Sequence, residues 1–378
     1  MTSALAPADE AGVAVALREA EAAGHSVDVR GGDTKRGWGR TAGGDVELST
    51  AGLSGVVAHE PGDLICVVRA GTRLDELQRA LTSVEGHRQR LMLDPAHGAA
   101  QTIGGIVAAN ASGPLRSRYG APRDLVIGAR FVLADGTVGS TGGRVVKNVA
   151  GYDLAKLLCG SLGTLAVVTE VAFRLHPVAD AARTVVLDGA EPEALAAFAA
   201  ALAGAPVIPA ACELVWPDGA LLLRVESSAE GAERQAALAA ELAPGARVLE
   251  PDEADARWAA HAGRPWSGEG VVGAVGVPPA RLVDALRLVR RLDAELVLRA
   301  PIGVGEVRVA AERETVAALR EGVEALGGHL ALRRSPPELD DLVWPALDPV
   351  AADLMRAVKA RLDPAGTLAP GRHAMEAR

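Results

Sequence analysis

The sequence predicts a mixed chain of helices and sheets, α+β or α/β, divided into two or three domains. Three observations predict it. The chain has 378 residues, and roughly 100–200 residues make one domain. After Pro177 strand-like and helix-like segments alternate down to about residue 326, as in a sheet layered with helices on one face. The first third carries two glycine-rich loops, each beside an apolar run: Arg30-Gly31-Gly32-Asp33-Thr34-Lys35, and Gln101-Thr102-Ile103-Gly104-Gly105 running on to Gly113. Glycine allows close backbone approach, and consecutive N–H groups in such loops form a concavity for an anion. A pair of them points to a cofactor with a pyrophosphate and a long organic body. Neither loop contains G-x-G-x-x-G or G-x-x-x-x-G-K-[ST].

Residues 10–24 have helical spacing (Val13, Leu17, Ala20) and run to Gly24, a C-terminal cap. Ser26–Arg30 is a short strand feeding the first glycine loop. Glu47–Ser49 and Val56–Glu60 are strand-like, and Ile65–Ala70 is the continuous apolar run of a buried strand. Thr72 opens a helix with Asp75 and Glu76 in its first turn, where the helix dipole favours anions. Ile103–Ala109 is a helix of small residues. Leu125–Leu133 is a strand, followed by the hairpin turn Ala134-Asp135-Gly136-Thr137. Leu165–Leu175 is a strand closed by His176-Pro177. Beyond it, strands are expected at Thr184–Leu187, Ala220–Glu226, Val271–Val277, Glu295–Ala300 and Glu306–Val309. Helices are expected at Glu191–Leu202, Glu230–Leu242, Arg281–Leu292, Glu314–Leu326 and Ala351–Leu362. No internal repeat is visible.

Composition excludes several classes. The net charge of −9, with Lys and Arg scattered, argues against nucleic acid. No uncharged apolar stretch reaches the length of a membrane span. The first 20 residues, with Asp9, Glu10, Arg18 and Glu19, lack the order of a signal peptide, so a cytoplasmic protein is expected. Cys66, Cys159 and Cys212 form neither a C-x-x-C metal site nor a disulfide set, and no metal site is predicted.

The motifs fall in a fixed order. After the first loop come Asp94-Pro95, Thr102–Gly105, Ala111-Ser112-Gly113, Arg118-Tyr119-Gly120 and Asp124, then Ala134-Asp135-Gly136, Lys147–Leu154 and Gly163-Thr164-Leu165 through Glu170. The tail reads Leu362-Asp363-Pro364, then Pro370-Gly371-Arg372. This series resembles the FAD-binding domain of the vanillyl-alcohol oxidase and para-cresol methylhydroxylase (PCMH) superfamily. Within it, the series is similar to the FAD-binding subunits of bacterial glycolate oxidases. The likeness is dense over residues 10–178, returns over 350–373 and is weak between.

The resemblance implies a two-subdomain PCMH-type FAD-binding domain over residues 1–178, an α+β cap domain over 183–345, and a C-terminal helix and tail over 346–378 packing on the FAD domain. It implies that Arg30, Gly31, Gly32, Asp33, Thr34 and Lys35, with Thr102, Ile103, Gly104 and Gly105, surround the pyrophosphate, and that Pro95 also binds the cofactor. The N–H groups of the first loop and of Thr102–Gly105 would cradle it. Ala108, Gly113, Gly163, Thr164 and Leu165 would lie along flavin and ribose, and Val168 would face the adenine. Asp33 stands where relatives have glycine, so it is expected in a left-handed turn with its carboxylate turned from the phosphates. Thr34 stands where covalent relatives have histidine, so FAD is expected to be noncovalent.

Relatives that oxidise 2-hydroxy acids carry H-x-G-x-G-N-x-H in the cap, whereas here His261 and His329 are singletons. The implied role is therefore an accessory flavin subunit that passes electrons from a small 2-hydroxy acid toward an iron–sulfur subunit or quinone. A homologous FAD-binding subunit would perform the primary oxidation, and any membrane association would run through the partners. Two other classes remain open: an assembly subunit with weak or no FAD, and a stand-alone FAD-dependent alcohol or sugar oxidase. Catalytic residues are not assigned. Arg116 and Arg118 fit phosphate, a substrate carboxylate or a salt bridge at the rim. Lys147, Tyr152 and Asp153 form a polar island, and Trp258, Trp266 and Trp344 read as core or interface anchors.

Overall fold

The computed structural model describes residues 3–40, 43–84, 86, 88–96, 100–143 and 152–374. Lys147, singled out from the sequence, lies outside the described residues. The chain forms two compact units. The first comprises Met1–Ser112, Gly120–Val178 and Ala346–Arg378, and the second Gly113–Tyr119 and Ala179–Pro345.

In the first unit, Ser3–Leu5, Val46–Ser49 and Val27–Arg30 form a parallel sheet in that spatial order. The helix Glu10–Ala22 begins at Asp9, whose carboxylate accepts from the Gly12 N–H at 2.8 Å, a standard N-cap. Val13, Leu17 and Ala20 then share one face, four and three residues apart. They pack on Val27, Leu48, Val132, Val167 and Leu368. A second, antiparallel sheet has the order Val56–Glu60, Ile65–Arg69, Val167–Arg174, Val126–Val132, Val138–Gly142. Its last two strands are joined by the expected Asp135-Gly136 turn, closed by Leu133 N–H to Thr137 C=O at 2.9 Å. The C-terminal helix Pro349–Leu362 is followed by a tail that adds to the parallel sheet beside Val27.

The second unit is built on one eight-stranded sheet in which every neighbouring pair is antiparallel. Its order is Arg247–Val248, Ala181–Leu187, Ala220–Ser227, Pro209–Trp216, Glu295–Arg299, Val304–Val309, Val271–Gly276, His329–Arg334. Its element order is strand–helix–strand–strand–helix–strand, twice over. This is the split β-α-β arrangement, duplicated and joined where Pro209–Trp216 pairs with Glu295–Arg299. The structure thus contains a repeat that the sequence hides. A topology is kept by the pattern of buried positions, which many residue combinations satisfy.

Pro192–Gly204, Ala229–Glu241, Leu282–Arg291 and Arg313–Ala325 all bury residues in one cluster on one face of the sheet. Pro251–His261 packs through Ala254 and Trp258 against the other face, represented by Val186, Val215 and Leu222. That helix and the strands Pro209–Trp216 and His329–Arg334 were absent from the sequence prediction. Ala210, Ala211 and Cys212 dilute the β signal of the first strand, and charged Arg333 and Arg334 dilute that of the second.

Candidate functional site

Strand Val27–Arg30 delivers the first glycine loop to the surface of the first unit. The loop is anchored where Thr50 donates twice to the Arg30 carbonyl, from N–H at 2.7 Å and from Oγ1 at 3.0 Å. It closes through Arg36 N–H to Asp33 C=O at 3.3 Å and Trp38 N–H to Lys35 C=O at 3.0 Å. Asp33 takes the left-handed conformation, φ 55°, as expected. Its carboxylate is half exposed and pairs with Arg30 Nη1 at 3.4 Å.

Gly31 and Gly32 are not in that region; what requires them is contact. A Cβ on Gly32 would lie 1.7 Å from the Ala100 carbonyl oxygen, and one on Gly31 would lie 2.2 Å from Thr102 Oγ1. The two glycine loops are therefore packed against each other. Among the described residues, the N–H groups of Gly31 through Lys35 meet no acceptor within the chain.

The second loop behaves differently. Thr102 caps the helix Ile103–Ala109 by accepting from Gly105 N–H at 3.3 Å. The Ile103 and Gly104 N–H groups donate to the Thr72 and Ala70 carbonyls at 2.9 and 2.7 Å. Three N–H groups expected to cradle an anion are thus already taken. This loop contributes a wall of small residues instead, Gly104, Gly105, Ala108 and Ala109.

The walls line an open groove. Of the residues predicted for the site, Arg30, Gly31, Gly32, Asp33, Thr34, Lys35, Thr102, Gly104, Gly105, Ala108, Gly163 and Val168 line it. Five do not. Ile103, Thr164 and Leu165 are buried in the core; the Thr164 hydroxyl is spent on the Ser161 carbonyl at 2.7 Å. The Pro95 carbonyl accepts from Gln101 Nε2 at 3.0 Å, away from the lining residues. Gly113 belongs to the second unit, where its carbonyl accepts from Arg299 Nε at 3.3 Å. Sequence reasoning missed Asp28, Arg36, Thr50, Leu162 and Arg372, all of which line the groove. For Arg372 the Pro370-Gly371-Arg372 motif was a signal.

The groove is electropositive: Arg30, Lys35, Arg36 and Arg372 outnumber Asp28 and Asp33 by two. Lys35 is the unusual member. Its side chain is buried, its ammonium donates to Gln101 Oε1 at 2.6 Å and Thr34 Oγ1 at 3.1 Å, and it lies over the Trp38 ring. All of these partners are neutral, and burial pushes its pKa down to about 8.

In the second unit a polar cluster is buried on the sheet. Glu213 is fully buried and accepts from, or donates to, His261 Nε2 at 3.2 Å, according to protonation. Its other oxygen lies 3.6 Å from Arg299 Nε, and Arg299 Nη1 donates to Glu306 at 2.6 Å. Arg118 donates to the Glu226 carbonyl at 3.2 Å. Burial and the like charge of Arg116 hold the Arg333 guanidinium down at about 10, against the opposing pull of Glu306. His329 is exposed, and among the described residues no group of three metal-ligating side chains occurs. Trp258 donates to Thr184 Oγ1 at 3.0 Å and Trp344 packs on the main core. Tyr152 is 92 % exposed, so its ring stands in solvent. Burial pushes the Cys66 and Cys159 thiols up to about 12, so neither is a nucleophile at neutral pH.

Comparison with known proteins agrees with the groove. Residues 2–142 match the FAD binding domain family, and residues 345–373 match the C-terminal domain of FAD linked oxidases. The glycolate oxidase subunit GlcE of Escherichia coli is 38 % identical over 150 residues, which are 39 % of this chain and 42 % of that protein. The glycolate oxidase subunit GlcD of Bacillus subtilis is 39 % identical over 137 residues, 36 % of this chain and 29 % of its own length. A D-lactate dehydrogenase of Archaeoglobus fulgidus is 34 % identical over 173 residues, 45 % of this chain and 38 % of its own length. The matches span less than half of these relatives. An alkyldihydroxyacetonephosphate synthase structure superposes over 96 % of this chain and 75 % of its own with a TM-score of 0.70, at 16 % identity, which shows a shared fold. No helix among the described residues is long and apolar enough to cross a membrane.

Proposed function

We propose that the chain, whose residues 2–142 match an FAD binding domain and 345–373 the C-terminal domain of FAD linked oxidases, is an FAD-linked oxidase that holds noncovalent FAD as a subunit of a complex oxidising a small 2-hydroxy acid such as glycolate or D-lactate. The single observation that carries the cofactor reading is the first glycine loop. Its N–H groups from Gly31 to Lys35 have no acceptor among the described residues, and they stand beside a buried ammonium with only neutral partners. A diphosphate supplies both the acceptors and the charge they lack.

In this reading the N–H groups of Gly31–Lys35 bind the diphosphate oxygens and Lys35 balances their charge. Arg30 holds the Asp33 carboxylate in an ion pair, which limits its repulsion of the phosphates. Gly104, Gly105 and Ala108 leave room for the flat body of the cofactor, while Leu162, Ala166 and Val167 exclude water from its face. FAD, when bound, would supply a redox carrier that takes electrons from the subunit performing the primary oxidation and passes them onward. Thr34 offers no nitrogen for a covalent link.

The expected partners are a homologous FAD-binding subunit that performs the primary oxidation and an iron–sulfur subunit that takes the electrons onward, in the cytoplasm. Support for the accessory role comes from the second unit, where His261 is committed to Glu213 and the cysteines are too few for a cluster.

The test is the visible spectrum of the purified chain, loaded with FAD and then mixed anaerobically with glycolate or D-lactate. A flavin spectrum that stays oxidised until the partner subunits are added supports the proposal. Bleaching of the chain alone would make it a complete dehydrogenase. A folded chain that takes up no FAD would refute the cofactor reading.

A further inference from the structure

Within the first unit, two segments that line the groove are held by residues 359–372. The Arg372 guanidinium, buried beneath the first glycine loop, donates from Nη2 to the Lys35 and Arg36 carbonyls, both at 3.1 Å, and from Nε to the Trp38 carbonyl at 3.1 Å. Its Nη1 lies 3.8 Å from the Asp28 carboxylate. The Arg372 carbonyl in turn accepts from Arg40 N–H at 3.0 Å, so the loop is gripped from both sides of that residue.

Thirteen residues earlier, Lys359 Nζ donates to the Thr164 carbonyl at 2.7 Å, next to Gly163, which also lines the groove. It also donates to the Leu368 carbonyl at 2.9 Å and pairs with Asp363 at 2.6 Å. Asp363 receives the Thr367 and Leu368 N–H groups at 2.9 and 2.8 Å. Val27 N–H donates to the Thr367 carbonyl at 2.7 Å and Ala369 N–H to the Val27 carbonyl at 2.9 Å, which fixes the tail beside the strand that feeds the loop. Three carbonyls of the loop from Lys35 to Trp38 converge on a single planar donor.

We infer that Arg372 is a positioning residue for the diphosphate: it sets the turn that carries Lys35, and Lys359 holds the turn after Gly163, so the C-terminal tail shapes a cofactor site built from the first half of the chain. The inference rests on the reading of the groove as the FAD site. A guanidinium presents several donors in a fixed plane, and an ammonium cannot reproduce that fork.

The experiment uses the full chain stripped of flavin, titrated with FAD by flavin fluorescence and with ADP, which carries the same diphosphate, by displacement. Thermal melting of the apo chain is recorded alongside. Arg372→Met is expected to weaken both ligands by about tenfold or more, as loss of a charge-assisted network does, and Arg372→Lys by an intermediate factor. Leu17→Ala is the control, because Leu17 is fully buried in the first unit's core and does not line the groove. It is expected to lower the melting temperature at least as far while leaving FAD affinity near wild type. If Arg372→Met does not fold, Arg372→Lys decides. Wild-type affinity in the folded Arg372 variants, or an equal loss in Leu17→Ala, overturns the positioning role. A folded wild-type chain that binds neither FAD nor ADP overturns the groove reading and this inference with it.

Discussion

Lys35 makes the pH dependence of this protein specific enough to refute. An unfolded lysine titrates near 10.4, whereas burial pushes Lys35 down to about 8 in the folded chain. Between those values the unfolded chain holds a proton that the folded chain has released. Stability therefore rises with pH across that window and is lowest below about 8, where folding must bury the charged ammonium. The drop from near 10.4 to about 8 corresponds to ~3 kcal/mol. The residue is only 8 % exposed, so little of this is screened.

A bound diphosphate acts in the opposite sense. It favours the charged ammonium, so FAD affinity is expected to be flat below about pH 8 and to fall by up to about tenfold per pH unit above it. Apo stability and FAD affinity thus run against each other over one pH window. The assay is chemical denaturation of the apo chain and FAD titration, each from pH 7 to 10, for wild type and Lys35→Met. Subtracting the variant removes every other titrating group. Parallel stability curves for the two proteins would refute the buried-ammonium argument, and parallel affinity curves would refute its contact with the diphosphate.

Two further outcomes follow from the geometry. Gly32→Ala places a methyl 1.7 Å from the Ala100 carbonyl oxygen, so the loops must separate by more than 1 Å; about 1–3 kcal/mol of stability and flavin retention should be lost together, as read by a denaturant melt and the absorbance ratio of the purified protein. Glu213→Ala removes a fully buried carboxylate between His261 and Arg299, leaving the Arg299 charge undercompensated, and should cost about 3–5 kcal/mol by denaturant titration.

Much of the first unit was legible in sequence because its signals are local. Asp9 as a cap, the Val13–Leu17–Ala20 face and the Asp135-Gly136 turn each act within a few residues. The left-handed turn at Asp33 was legible for the same reason: few residues other than glycine tolerate it, and aspartate is one. The second unit was less legible. Strands such as Pro209–Trp216 carry Ala, Cys and Glu, and only their neighbours in the sheet make them strands. The duplicated topology leaves no residue periodicity at all.

The two glycine loops flanking apolar runs, and with them the expectation of a diphosphate-type groove, were readable in the sequence. Only the tertiary structure decided what each loop does. Gly31 and Gly32 are required by the opposing loop, the second loop's N–H groups are spent on Ala70, Thr72 and Thr102, and Lys35 is buried among neutral partners. The tertiary structure also brings Arg372 onto carbonyls more than 330 residues away. The physical reason is that hydrogen-bond satisfaction and desolvation depend on which segments meet in space, and no local pattern records that meeting.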